Sequence, residues 1–166
     1  MRVFRSKVCA LVAMALPLAA SAGEVSVRFV DPETYVDADL GQRFASERGR
    51  AEVLALLERH LQGLARRSLP PQDRLEIEVL DVDLAGRFEP FPHTSSPDLR
   101  VVRPIDGPRI KLRYRLVQGE RVLAQGEEQL SDLAFLSSAH RRFGSDPLRH
   151  EKALLDRWFD TLTARL

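Results

Sequence analysis

The sequence predicts a single α+β domain, a two-layer sandwich in which a four-stranded mixed sheet carries two helices on one face. Three observations point there. Apolar and polar residues alternate with period two in four segments, starting near Glu24, Leu75, Arg109 and Arg121, as half-buried strands require. Two further segments, 47–67 and 147–166, repeat apolar residues at steps of three and four, the single stripe of an amphipathic helix. The element order is therefore β-α-β-β-β-α, and both helix stripes need the apolar face of the sheet to bury them.

The first 22 residues stand apart from this domain. Arg2, Arg5 and Lys7 give a basic start, 8–19 is an apolar run, and Ala20-Ser21-Ala22 is a small-x-small signature before Gly23. This is the layout of a secretory signal peptide, and its apolar run is too short to span a bilayer. Cleavage is expected after Ala22, leaving one exported domain over 23–166 with no transmembrane segment. The signal segment holds three of the 25 Lys and Arg and none of the 24 Asp and Glu, so the remainder carries a formal charge of −2. A near-neutral chain lacks the clustered positive charge that nucleic-acid binding needs. Cys9 follows Lys7-Val8 rather than the small apolar residues that precede an acylated cysteine, so no lipid anchor is expected. Without Cys9 the mature chain has no thiol, which excludes disulfides, cysteine nucleophiles and thiolate-bound zinc.

In the first strand Val25, Val27 and Phe29 share one face, and Asp31-Pro32 ends it because proline cannot donate to a ladder. A polar loop with Asp37 and Asp39 follows. The first helix takes Ser46 as N-cap, buries Val53, Leu54, Leu57, Leu61, Leu64 and Ala65, and stops at Pro70-Pro71. His60 falls at the edge of that stripe, where a packed histidine is expected. Leu75, Ile77 and Val79 point inward in the second strand. The same parity then meets Asp81 and Asp83, so the strand must bulge near Leu80 or leave the core. The third strand buries Ile110, Leu112, Tyr114 and Leu116 and exposes Arg109, Lys111, Arg113 and Arg115. A Gln118-Gly119-Glu120 turn makes it a hairpin with the fourth strand. The last helix is expected to start with Asp146 as N-cap and Pro147 at its first position, and to bury Leu148, Leu155, Phe159, Leu162 and Leu166.

A helix between the first two strands makes them parallel, and the next two run back against their neighbours. That topology gathers four features on one rim: the chain after Asp31, the pair Asp81 and Asp83, and two long irregular stretches, 85–108 and 131–145. The opposite sheet face is wet. There the four cations of the third strand face Glu76, Glu78 and Glu127 on its neighbours, and cross-strand ion pairs are expected.

The runs DVDLAGRFEP at 81–90, RIKLRY at 109–114, GEEQLSDLAFL at 126–136 and SDPLRHEKALLDRWF at 145–159 resemble the domain of unknown function 3016 family, small exported bacterial proteins. The resemblance covers nearly all of the mature chain. It implies an exported protein of a Gram-negative bacterium, hence the periplasm, and it brings no established activity and no functional residues.

Candidate chemistry gathers at the rim. Asp81 and Asp83, two apart on one strand, can share a hard cation such as calcium or act as acid and base. Equally, they can accept hydrogen bonds from backbone amides and from Arg109 or Arg87 and so hold the long loop. His93, His140 and His150 are placed near the same rim with Arg141 and Arg142, but without the spacing of a zinc motif. No serine sits in a nucleophile elbow and no cofactor loop occurs, so no cofactor is expected. Glu151 falls on the apolar side of the last helix, where an ion pair to a rim arginine would account for it. The binding residues singled out are Asp81, Asp83, Arg87, His140 and Arg141, with Asp81 and Asp83 the metal candidates. The first reading is a non-catalytic periplasmic protein that binds a partner protein or envelope component through the rim loops. The alternative is a periplasmic hydrolase or metal-binding protein that uses Asp81 and Asp83. A third reading is attachment to anionic membranes through the cationic strand.

Overall fold

Period-two alternation builds the sheet, and in chain order the elements are β1 (Glu24–Phe29), a 3₁₀ turn (Pro32–Thr34), α1 (Glu47–Ser68), β2 (Asp73–Asp83), β3 (Arg87–Pro90), β4 (Asp98–Val101), β5 (Arg109–Gln118), β6 (Arg121–Ser131), α2 (Phe135–Ser138) and α3 (Arg149–Thr163). The structure is a computed structural model that describes residues 23–41, 46–90, 98–138 and 143–164. The signal-like segment with Cys9, and His93, His140, Arg141, Arg142 and Leu166, lie outside these residues. The main sheet has the order β1-β2-β5-β6, with β1 parallel to β2 and the other pairs antiparallel. This is the expected mixed sheet. Its parallel pair exists because α1 carries the chain back across the sheet face.

Ser46 caps α1 as expected, its Oγ accepting from Gly49 N at 3.0 Å. The helix ends where Pro70 and Pro71 follow Leu69, whose N–H still reaches Ala65 O at 2.9 Å. The stripes of α1 and α3 bury in one core with Leu75, Ile77, Val82, Ile110, Leu112 and Leu116 of the sheet. Each fully buried Leu or Ile there contributes about 1.5–3 kcal/mol. Trp158 of α3 meets Tyr114 of β5 edge to face, centroids 5.6 Å apart. His60 is packed as expected: its Nε2 lies 2.7 Å from Asp156 Oδ1 across the seam between α1 and α3, and its ring meets Phe143 edge-on.

β2 resolves its parity conflict by bulging, with a register shift between Val79 and Asp81. Past the bulge Val82 and Leu84 enter the core. Three expectations change. The stretch 85–108 is not irregular throughout, because β3 and β4 form an antiparallel two-stranded sheet within it. Strands of four residues are too short to show a period, which is why alternation missed them. The stretch 131–145 contains the single turn α2, whose Phe135 is buried. α3 begins at Arg149 rather than Pro147. Asp146 instead makes a local turn, its Oδ1 accepting from Leu148 N at 2.8 Å and its carbonyl from Arg149 N at 3.1 Å.

On the wet face the expected ion pairs form as a connected ladder. Arg113 binds both Glu78 and Glu127 at 2.9 Å, Lys111 binds Glu127 at 2.9 Å, Arg115 reaches Glu76 at 3.6 Å, and Arg28 of β1 joins Glu78. Those partners hold the Glu78 and Glu127 carboxyls below their ordinary range. A face whose cations are matched by carboxylates presents no broad positive field to a membrane.

Two glycines test the backbone. Gly119 has φ +59° and open space around it, so Gly119→Ala should cost about 1–2 kcal/mol from the left-handed backbone alone. Gly86 has φ +85°, and an added Cβ would stand 2.7 Å from Val101 O. Gly86→Ala should lose a further 1–3 kcal/mol, roughly the cost of overpacking. Urea denaturation of both variants checks the ranking.

Candidate binding rim

β1 ends at Phe29, the backbone turns at Asp31, where φ is +48°, and Pro32 starts the 3₁₀ turn. Tyr35 then swings inward, its hydroxyl donating to Val79 O at 2.7 Å, and burial pushes its pKa up to about 12. The chain next rejoins the edge of β2 beyond the bulge. Asp37 N donates to Val82 O at 2.9 Å, and Leu84 N donates to Asp37 O at 3.1 Å. This parallel bridge sets Asp37 beside Asp83.

Asp81 and Asp83 share the strand face opposite Lys111 and Arg109, but their carboxylates do different things. Asp81 Oδ1 accepts the Val36 N–H at 3.0 Å. Asp83 is 3% exposed and holds Arg87 with both oxygens, Nη1 to Oδ1 at 3.0 Å and Nη2 to Oδ2 at 3.1 Å. Arg109 reaches the same Oδ2 at 3.5 Å. The positive charge that faces Asp83 is thus supplied by two guanidiniums. Arg87 also donates to Leu84 O and Gly86 O, which folds the turn after β2 back onto the strand.

The residue that organises the rim is Arg100 of β4, which alternation did not single out. Its Nη2 donates to both oxygens of Asp37 at 2.9 and 2.8 Å and to Asp39 O at 2.7 Å, while Nη1 reaches Ala85 O and Gly86 O at 3.2 Å. The guanidinium carbon lies 4.5 Å from the centre of the Phe88 ring. Burial still raises the Asp37 pKa above its ordinary value, against the opposing pull of Arg100. Asp39, buried, takes the next step: its carboxylate accepts from Gly41 N and Ser46 N at 2.7 Å and from Ser46 Oγ at 2.8 Å, fixing the cap of α1. Asp37 and Asp39 lie 63 and 61 residues away in the chain, and Ala85 and Gly86 lie 15 and 14 away, so no local pattern could have found it.

Glu151 corrects another expectation. Among the described residues it makes no ion pair to a rim arginine; its Oε1 accepts the Ala85 N–H at 2.8 Å. Glu151 Oε2 and Arg100 Nε are buried without a hydrogen-bond partner among the described residues. Burial raises the Glu151 pKa, with the Ala85 N–H and the charges of Arg100 and Arg149 working against it. The Ala85-Gly86 turn is therefore held from four sides, by Glu151 of α3, Arg100 of β4, Arg87 of β3 and the Asp106 carbonyl, which accepts the Gly86 N–H at 2.8 Å. His150 is not at the surface of the rim: it is buried, its ring edge-on to Phe135 at 4.9 Å. His140 and Arg141, the remaining candidates, lie outside the described residues. Among the described residues, no three His, Asp or Glu side chains cluster as metal ligands.

Sheet, helices and clamped rim define a small α+β protein. The chain belongs to the family described as protein of unknown function DUF3016, whose model matches residues 23–161. Among solved structures it is similar to a hypothetical protein from Chlamydia trachomatis determined at 1.65 Å, with 14% identity, 89% of this chain and 95% of that chain covered, and a TM-score of 0.31. No curated protein matched the chain. No helix among the described residues is long and apolar enough to cross a membrane.

Removing the guanidinium should be costly. Arg100→Met keeps the stem's packing but strands Asp37, and the expected loss is about 3 kcal/mol, the low end for breaking a buried pair. Arg100→Lys should recover only part, because one ammonium cannot replace a planar fork that reaches five acceptors. Denaturant melts at pH 7 check both. Glu151 makes stability depend on pH. Its raised folded pKa means that the native state keeps the proton longer, so its contribution is full below the unfolded pKa of about 4.5 and is lost as pH rises through the folded value. Glu151→Gln keeps the acceptor for Ala85 N–H and cannot ionise. It should melt above the wild type at pH 8, with the gap closing towards pH 4.

Proposed function

We propose that the chain is exported, loses residues 1–22 after Ala22, and acts in the periplasm as a non-catalytic protein that binds a partner protein or envelope component through the rim. One observation carries this reading. The rim carboxylates of Asp37, Asp39, Asp81 and Asp83 are engaged within the rim, while three large aliphatic side chains on the same segments are exposed: Val36 at 67%, Leu99 at 50% and Ile105 at 81%. Val36 precedes Asp37, Leu99 precedes Arg100, and Ile105 precedes Asp106, so clamped backbone presents each of them. Exposed apolar residues on an ordered support suit association, since little entropy remains to be lost on binding. The alternative hydrolase or cation site on Asp81 and Asp83 needs carboxylates open to substrate or ion, and against it stands the engagement of Asp83 by Arg87 and Arg109.

In cells that export the protein, intact mass should start at Gly23. Amine crosslinking in the periplasm should give an adduct that Leu99→Asp/Ile105→Asp abolishes and that Val122→Asp, on the exposed edge of β6, retains. An adduct that survives in both variants means that the rim is not the surface. Thermal melting separates the alternative. Asp81→Asn/Asp83→Asn should melt at least about 5 °C lower, from the loss of two charged hydrogen-bond acceptors, with chelator and calcium making no difference to either protein. A calcium-dependent rise confined to the wild type would support the cation site instead.

A further inference from the structure

We infer that Arg87 and Arg109, both anchored on Asp83, form a recognition point for a carboxylate side chain of an amphipathic acidic polypeptide. The inference rests on the rim-binding reading and names the chemistry of its partner. Asp83 is a nearly buried carboxylate, its side chain 5% exposed, beneath two guanidiniums that are 41% and 53% exposed. The anion faces inward and the cations face solvent, which leaves an excess of one positive charge directed outward. Elsewhere the balance differs. On the wet face, cations are matched by Glu76, Glu78 and Glu127, whose side chains are 44%, 29% and 40% exposed. Arg100 and Asp37 are both largely buried and present nothing outward. Asp81, the next carboxylate on the strand, stands opposite Lys111 and accepts the Val36 N–H.

The two arginines have complementary roles. Arg87 is immobilised by its bonds to Asp83, Leu84 O and Gly86 O, so its exposed edge is preorganised. Arg109 meets Asp83 at 3.5 Å, an ion pair longer than a hydrogen bond, and so keeps donors for an incoming carboxylate. The exposed Val36, Leu99 and Ile105 on neighbouring rim segments favour an occupant with apolar side chains beside its charge, and so a polypeptide over a free inorganic anion. An anionic bilayer is disfavoured because attachment draws on several unpaired basic residues, and the outward excess here is a single charge.

The test uses the purified exported protein and a fluorescein-labelled peptide that alternates glutamate and leucine, amidated at its C-terminus, read by fluorescence anisotropy. Arg109→Gln should weaken binding at least about tenfold, the effect of losing one charged hydrogen bond. Arg28→Gln removes the same charge from a 68% exposed site on the wet face and should leave affinity within about twofold. Equal affinity in both variants, or equal binding of a lysine-leucine peptide, overturns the inference. Binding to phosphatidylglycerol vesicles without binding to the peptide also overturns it, in favour of a lipid headgroup. If the peptide fails while Leu99→Asp/Ile105→Asp still abolishes the periplasmic adduct, the rim reading stands and only the acidic chemistry of the partner is wrong.

Discussion

The Arg100 guanidinium is the contact on which the rim depends. It joins the segment after β1, through Asp37 and the Asp39 carbonyl, to the turn after β2, through Ala85 and Gly86. Both segments leave strands of the main sheet and Arg100 sits on β4 of the small sheet, so one side chain ties the two sheets together. A single planar fork can do this because its donors diverge within a plane and remain charged at any physiological pH. The cost of burying it is offset by Asp37 and by the carbonyls, and the stack on Phe88 covers its face.

That contact is available because of where β2 bulges. Without the extra residue between Val79 and Asp81, the inward parity of β2 would carry Asp81 and Asp83 into the apolar core. The bulge exchanges the faces, so Val82 and Leu84 pack inward and Asp83 turns towards Arg87 and Arg109. It also leaves the far end of β2 to pair with Asp37, a segment that β1 had already left. The rim is the point at which the sheet changes its partners, and the polar network satisfies the backbone groups that this exchange exposes.

Charge is distributed by depth. On the wet face both members of each pair are open to solvent, and such pairs contribute at most about 1 kcal/mol each. At the rim the carboxylate of Asp83 is buried under cations that reach solvent. A formal charge near zero can therefore coexist with a local surface that favours anions.

The sequence alone determined the sheet, both long helices, the cap at Ser46, the bulge near Leu80 and the cross-strand pairs around Arg113. All of these follow from periodicity, from residues within a few positions of one another, or from residues opposite one another on neighbouring strands. Tertiary structure decided the rest. Arg100 lies in a stretch without period, and its acceptors come from two separate segments, around Asp37 and around Ala85. Glu151 was legible as an anomaly on an apolar stripe, but its partner is a backbone N–H, which no residue type announces. The start of α3 moved to Arg149 because the Asp146 side chain could cap either a helix or a local turn, and here it accepts from Leu148 N in a local turn. Local pattern sets which segments can bury a face. Which polar groups must then satisfy one another is known only once the faces have met.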